Sequence, residues 1–174
     1  MKLVDFLQGK WLGHPLHPAI VHVPVGGWLV ACALDIAVWA EWGGVTLARL
    51  ALWCVGAGLA GALLAVPPGV ADWMEIKKEK PAWKLGLWHM LLNLMAAIVW
   101  GVNFGLRLEA RNEVGFLVTS PILATSLIGT ALLLISAYLG SRMVFEHGVG
   151  VARSSKKKWR AIAVRGGARV PEEK

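Results

Sequence analysis

The stretch PAIVHVPVGGWLVACALDIAVWA, residues 18–40, decides the fold of this chain. It contains one formally charged side chain, Asp35. A helix needs about 20 mostly apolar residues to cross the hydrocarbon core of a membrane, because each residue advances it by only about 1.5 Å. The stretch is therefore predicted to be a transmembrane helix.

Three further apolar stretches of similar length follow the first one. With 56% hydrophobic residues in a chain of 174, they leave no room for a separate soluble domain. We predict an all-α fold, a four-helix transmembrane bundle, with spans at 18–40, 44–66, 85–106 and 116–140. The bundle occupies residues 18–150. An amphipathic, His/Pro-containing entry segment (1–17) precedes it, and a basic, mobile tail (151–174) follows it.

Four spans return the chain to the side of the membrane on which it starts, here called the terminal side. Fifteen of the 18 Lys and Arg residues are expected there, in the entry segment, in the second connection and after the fourth predicted span. Because short cytoplasmic loops carry the excess of Lys and Arg, we expect both termini in the cytoplasm. Anionic lipid headgroups would attract the basic run KKKWR at 156–160, so the net charge of +7 does not require a nucleic acid partner.

All five histidines of the chain are expected on the terminal side. Ionisable residues are costly inside a membrane, so a histidine in a span indicates a functional site. The sequence leaves three interpretations open: a haem site, a metal site, or side chains that only bond to loops and carboxylates. The five residues are His14, His17, His22, His89 and His147.

The haem hypothesis rests on depth in the membrane. His22 and His89 each follow the start of a predicted span by four residues, which places both about 6 Å inside the core. Two such histidines on different helices of a bundle can ligate a haem from both faces. Asn93 lies one turn after His89 and is a candidate partner for its ring. Haem b held by His22 and His89 is therefore one of the open interpretations.

A metal ion nearer the surface is the alternative. Mixed imidazole and carboxylate ligands suit zinc or non-haem iron. Pro15 and Pro18 impose an extended path here, which weakens the case for converging side chains. The candidate ligands are His14, His17, His147, Asp72 and Glu146.

Two structural expectations concern the first span. Pro24 removes the hydrogen bond to the Ile20 carbonyl, so the helix is predicted to kink beside His22. Asp35 and Arg49 lie at similar distances from the predicted turn EWGG, so an ion pair between them is expected. No internal repeat is evident in the sequence.

Five motifs connect the chain to a known family: GHPLHPAIVHVPVG (13–26), LD (34–35), GVADW (69–73), HMLLN (89–93) and LGSRMVFEHGVGV (139–151). Together they resemble the bacterial membrane family catalogued as domain of unknown function 2231, over roughly residues 12–151. Val23 replaces the aromatic residue that usually follows the third histidine in that family.

The resemblance implies little about activity, because none is assigned to the family. Some relatives are joined to Rieske-type iron–sulfur or cytochrome c-like domains, which implies electron transfer by analogy. This chain has no CxxCH motif, so a redox partner would be a separate protein.

We therefore expect a multi-pass protein of a bacterial inner membrane. As a redox subunit resembling a b-type cytochrome, it would pass electrons to a partner or quinone rather than catalyse bond chemistry. The alternatives are a non-catalytic accessory subunit of a larger membrane complex and a metal-binding membrane protein that uses the histidines of the terminal side.

Overall fold

Four long helices dominate the chain, as predicted. A computed structural model describes residues 2–112, 115–150 and 156–168; for 156–159 only the backbone is described. Four helices are long and apolar enough to cross a membrane, which confirms the predicted bundle. Besides a short 3-10 turn at Lys10–Leu12, the helices are α1 (Leu3–Leu7), α2 (Leu16–Ile20), α3 (His22–Trp39), α4 (Gly44–Met74), α5 (Pro81–Glu109), α6 (Ser120–Phe145) and α7 (Lys156–Arg165).

The first span is interrupted where a kink was predicted. Helix α2 ends at Ile20 and α3 begins at His22, and together they form one membrane-length segment. Pro24 has no N–H to donate to the Ile20 carbonyl, which explains the interruption at Val21. Span two, by contrast, runs well beyond its predicted end at residue 66, because α4 continues through Pro67 and Pro68 to Met74.

The spans form two antiparallel hairpins, α3 with α4 and α5 with α6. The hairpins are built alike. Three pairs of residues join the first span to α5, each 72 positions apart along the chain: His17 with His89, Trp28 with Trp100, and Asp35 with Arg107. Corresponding helices run in the same direction, so an approximate two-fold axis along the membrane normal relates the hairpins. The two hairpins are thus alike in structure although no repeat stands out in the sequence.

A tryptophan pair occupies the centre of the bundle. The Trp28 and Trp100 rings stack with centroids 5.6 Å apart and planes 13° from parallel, and both side chains are buried. Gly58 of α4 lies against the Trp28 indole, and Gly129 of α6 lies against the Trp100 indole. Because glycine has no side chain, each hairpin can bring its second helix directly onto the tryptophan of its first.

A buried ion pair joins the hairpins further from the terminal side. Asp35 pairs with Arg107 of α5, whereas Arg49 is exposed, so the predicted pair between Asp35 and Arg49 is wrong. The depth argument was sound, but it considered only the adjacent helix, and Arg107 reaches the same level from the second hairpin.

Polar side chains of α5 and α6 complete this ionic layer. The Ser126 hydroxyl donates to Asp35 over 2.5 Å, and Arg107 Nε donates to the Asn103 side-chain oxygen over 2.7 Å. The Asn103 amide in turn donates to Ser126 and Thr125, over 2.9 and 2.8 Å. The buried charges are thereby paired and hydrogen-bonded, as an apolar interior requires.

The tail contains one helix that was not predicted, α7. The prediction that the tail is mobile concerns residues 151–174. Of these, 151–155 and 169–174 lie outside the described residues.

Candidate functional site

Two histidines from equivalent positions of the two hairpins meet near the terminal side. The ring centroids of His17 and His89 are 6.4 Å apart, and the ring planes are nearly perpendicular, at 88°. Both side chains are partly buried. This histidine pair lies on the approximate two-fold axis, three helical turns from the tryptophan pair.

His17 is fixed by the second helix of its own hairpin. Its Nδ1 lies 2.9 Å from the backbone carbonyl oxygen of Ala65. Its ring packs on Gly69 one turn further along α4, where an added Cβ would approach the ring to 2.7 Å. Since a carbonyl can only accept, Nδ1 donates the hydrogen, and the ring lone pair is on Nε2.

His89 is fixed in the same way by α6. Its Nδ1 lies 2.8 Å from the Ser136 carbonyl oxygen and 3.0 Å from the Ser136 hydroxyl. Its ring packs on Gly140, where an added Cβ would lie 3.0 Å away. His89 therefore also carries its hydrogen on Nδ1. Ala65 and Ser136, like the two glycines, hold equivalent places in the two hairpins.

Asn93 contacts His89, as the sequence predicted. Its amide nitrogen lies 3.0 Å from His89 Nε2 and 3.0 Å from the His89 backbone oxygen. The amide donates to the ring lone pair, so both ring nitrogens of His89 have a partner. Asn93 thus helps to fix the orientation of the ring.

This arrangement suits a pair of metal ligands. A histidine that ligates through Nε2 usually donates its other N–H to a carbonyl or carboxylate, and both rings do so here. Two imidazoles that share one metal at about 2 Å from each nitrogen have centroids roughly 6 Å apart. The separation of the histidine pair is close to that spacing for two ligands on opposite sides of a metal. Binding through His89 Nε2 would require Asn93 to release that nitrogen.

The structure does not bring His22 and His89 together. His22 is exposed, and its Nδ1 lies 3.3 Å from the Ala19 carbonyl oxygen of its own segment. His17 and His22 are five residues apart, which in a helix turns their side chains about 140° from one another. His17 therefore occupies the place beside His89 that depth alone had suggested for His22.

The five residues predicted as a surface metal site are also not gathered in one place. His14 is exposed, and His147 is partly buried near Glu146. Asp72, on α4, interacts with the Gln8 side chain. Within the residues that the structure describes, no group of three or more His, Cys, Asp or Glu side chains is placed to hold a metal ion. The proposed zinc or non-haem iron centre remains a prediction.

Glu146 has a different partner from the one predicted. Both of its carboxylate oxygens accept hydrogen bonds from Arg142, each over 2.8 Å. This bidentate hydrogen bonding holds the pKa of Glu146 below its ordinary value. The two residues are one helical turn apart, and their pairing stabilises the end of α6.

Sequence reasoning missed Ser136 and the two glycines that support the histidine pair. A signal was present in the sequence. A His, a Trp and an ionisable residue recur in the same order at an offset of 72, and the supporting glycines recur at an offset of 71. Few other residues match at these offsets, so the repeat is clear only once the contacts are known.

Comparison with known proteins gives one match. A family model described as "Predicted membrane protein (DUF2231)" matches residues 13–153, which include all the histidines and all four long helices. No curated protein and no solved structure matches the chain.

Proposed function

The chain belongs to the DUF2231 family of predicted membrane proteins, and we propose that it is a membrane redox subunit whose haem b is bound by His17 and His89. The proposal keeps the electron-transfer role expected from the sequence and replaces one ligand, His22, by His17. The observation that carries it is the 6.4 Å separation of two rings that both present Nε2.

The number of ligands favours haem over a bare metal ion. A porphyrin itself supplies four nitrogens to haem iron, so His17 and His89 would suffice as its protein ligands. Structural zinc instead takes four protein ligands, and catalytic zinc takes three. The described residues offer no such group, but they do offer two imidazoles from different helices.

The residues of the chain have distinct parts in this proposal. Haem would supply reversible one-electron exchange when bound. His17 and His89 would hold the iron, while the Ala65 and Ser136 carbonyls fix the two rings through Nδ1. Asn93 bonds to His89 Nε2 and would have to turn away for that nitrogen to bind iron.

The location of the site suggests on which side of the membrane electrons would be exchanged. We infer from the Lys and Arg distribution that the terminal side faces the cytoplasm of a bacterial cell. The histidine pair then lies toward the inner leaflet, where it would exchange electrons with a quinone or a separate redox protein. On this proposal the subunit carries electrons and catalyses no bond chemistry itself.

An absorption spectrum of the purified protein tests the proposal. The full chain, expressed with a haem supply and purified in mild detergent, is expected to show a Soret band and, after dithionite, a b-type α-band. Elemental analysis should find about one iron per chain, the number that one histidine pair can ligate. Stoichiometric zinc or iron without a Soret band would favour the metal-binding alternative. A colourless, metal-free protein would favour the accessory-subunit alternative. Either result would overturn the haem proposal.

A further inference from the structure

Three buried polar atoms, one in the tryptophan pair, one in the ionic layer and one on α6, have no hydrogen-bond partner in the described part of the protein. They are Asp35 Oδ1, Trp100 Nε1 and Thr130 Oγ1. Asp35 and Trp100 are 0% exposed, so bulk solvent does not reach them. Asp35 Oδ2, by contrast, accepts hydrogen bonds from both Arg107 and Ser126.

The three residues that carry these atoms adjoin or belong to one stretch of α6, from Ser126 to Thr130. Trp100 Nε1 lies against Gly129, where an added Cβ would approach it to 2.6 Å, and Thr130 is the next residue of α6. Asp35 contacts Ser126, one helical turn earlier on the same helix. The part of α6 that adjoins the three atoms thus spans about one helical turn, or about 5 Å.

The chemistry of the three atoms is complementary. The indole N–H is a donor, the carboxylate oxygen is an acceptor, and the hydroxyl is both. Within the hydrocarbon region of a membrane, an unpaired polar group has no bulk solvent to bond with. Internal waters in proteins make about three hydrogen bonds each, to groups of this kind.

We propose that these atoms form a buried water site, in which an ordered water accepts from Trp100 Nε1, donates to Asp35 Oδ1 and bonds to the Thr130 hydroxyl. The site hydrates the free oxygen of the buried Asp35–Arg107 pair from within the bundle. It is independent of any haem at the histidine pair, because it uses different residues.

The Trp28 indole N–H is a built-in control for a test of the water site at Trp100. The Trp28 indole N–H is also buried, but it donates to the Val55 carbonyl over 3.4 Å. The full chain with ¹⁵N-labelled tryptophan, in detergent micelles, can be examined by NMR for magnetisation transfer from water to each indole N–H. Trp100→Phe and Trp28→Phe identify the two signals.

The expected result is a water cross-peak at the Trp100 indole and none at the Trp28 indole. Thr130→Val should remove the Trp100 cross-peak, whereas Thr46→Val, at an exposed position of α4, should preserve it. No cross-peak at Trp100, equal cross-peaks at both indoles, or a cross-peak that persists unchanged in Thr130→Val would overturn the assigned site. If Thr130→Val fails to fold, the comparison of Trp100 with Trp28 in the unmodified chain still decides the proposal.

Discussion

Asp35 and Arg107 form a buried ion pair whose members occupy equivalent positions in the two hairpins. The same relationship places His17 beside His89 and Trp28 on Trp100. The two halves therefore meet in three layers along one axis. The outermost layers contain the ionisable groups, and the central layer is aromatic.

Removing one member of the ion pair should strongly destabilise the bundle. Asp35→Ala leaves the Arg107 charge buried without its partner, and breaking a buried pair in this way typically costs about 3–5 kcal/mol. The free energy of unfolding, measured by SDS titration in mixed micelles, should fall accordingly. Arg49→Ala, at an exposed position on α4, is the matched control and should change it by less than about 0.5 kcal/mol. Equal effects of the two substitutions would show that the pair contributes little to folding.

Exchanging both charges for apolar residues should be milder than removing one. Asp35→Leu combined with Arg107→Met leaves no unpaired charge, and such replacements of a buried pair are often neutral or stabilising. The same unfolding measurement should place the double variant above either single variant in stability. A double variant as unstable as the sum of the two singles would indicate that the residues act independently.

The glycines under the tryptophan pair should not tolerate a side chain. Gly129→Ala would place its Cβ 2.6 Å from Trp100 Nε1 in a packed core. Overpacking of this kind typically destabilises by about 1–3 kcal/mol. Gly101→Ala is the control, because its Cβ would meet nothing within 4 Å, and the gain in helix propensity predicts an unchanged or slightly higher stability. Similar losses in unfolding free energy for both variants would contradict the packing described.

The Arg142–Glu146 pair predicts a local dependence on pH. Arg142 lowers the pKa of Glu146, so the stabilisation from the pair is complete above the ordinary carboxyl pKa and is lost as pH falls through the lowered pKa. A ¹³C NMR titration of the Glu146 carboxyl should show this low pKa, and Arg142→Gln should raise it toward the ordinary value. Lys84→Gln, at an exposed position on α5, should leave it unchanged. A Glu146 pKa that does not respond to Arg142→Gln would rule out the pairing.

The sequence predicts where the helices of this protein lie better than it predicts which of their faces point into the bundle. Hydropathy located all four spans, and Pro24 located the interruption at Val21. A membrane helix is apolar both toward lipid and toward its neighbours, so its pattern does not reveal which face points inward. For that reason depth alone selected His22 in place of His17 and Arg49 in place of Arg107. In each case the residue that faces the axis is the one that contacts a residue 72 positions away in the chain.

Haem content of single histidine variants tests the central claim most directly. His17→Ala and His89→Ala should each abolish the Soret band or leave it below about a tenth of its wild-type intensity, since loss of one axial ligand removes half of the iron's protein ligands. His22→Ala, a control five residues from His17 on an exposed surface, should retain haem at the wild-type level. A variant lacking His17 that binds haem normally, or one lacking His22 that loses it, would contradict the assignment of the histidine pair.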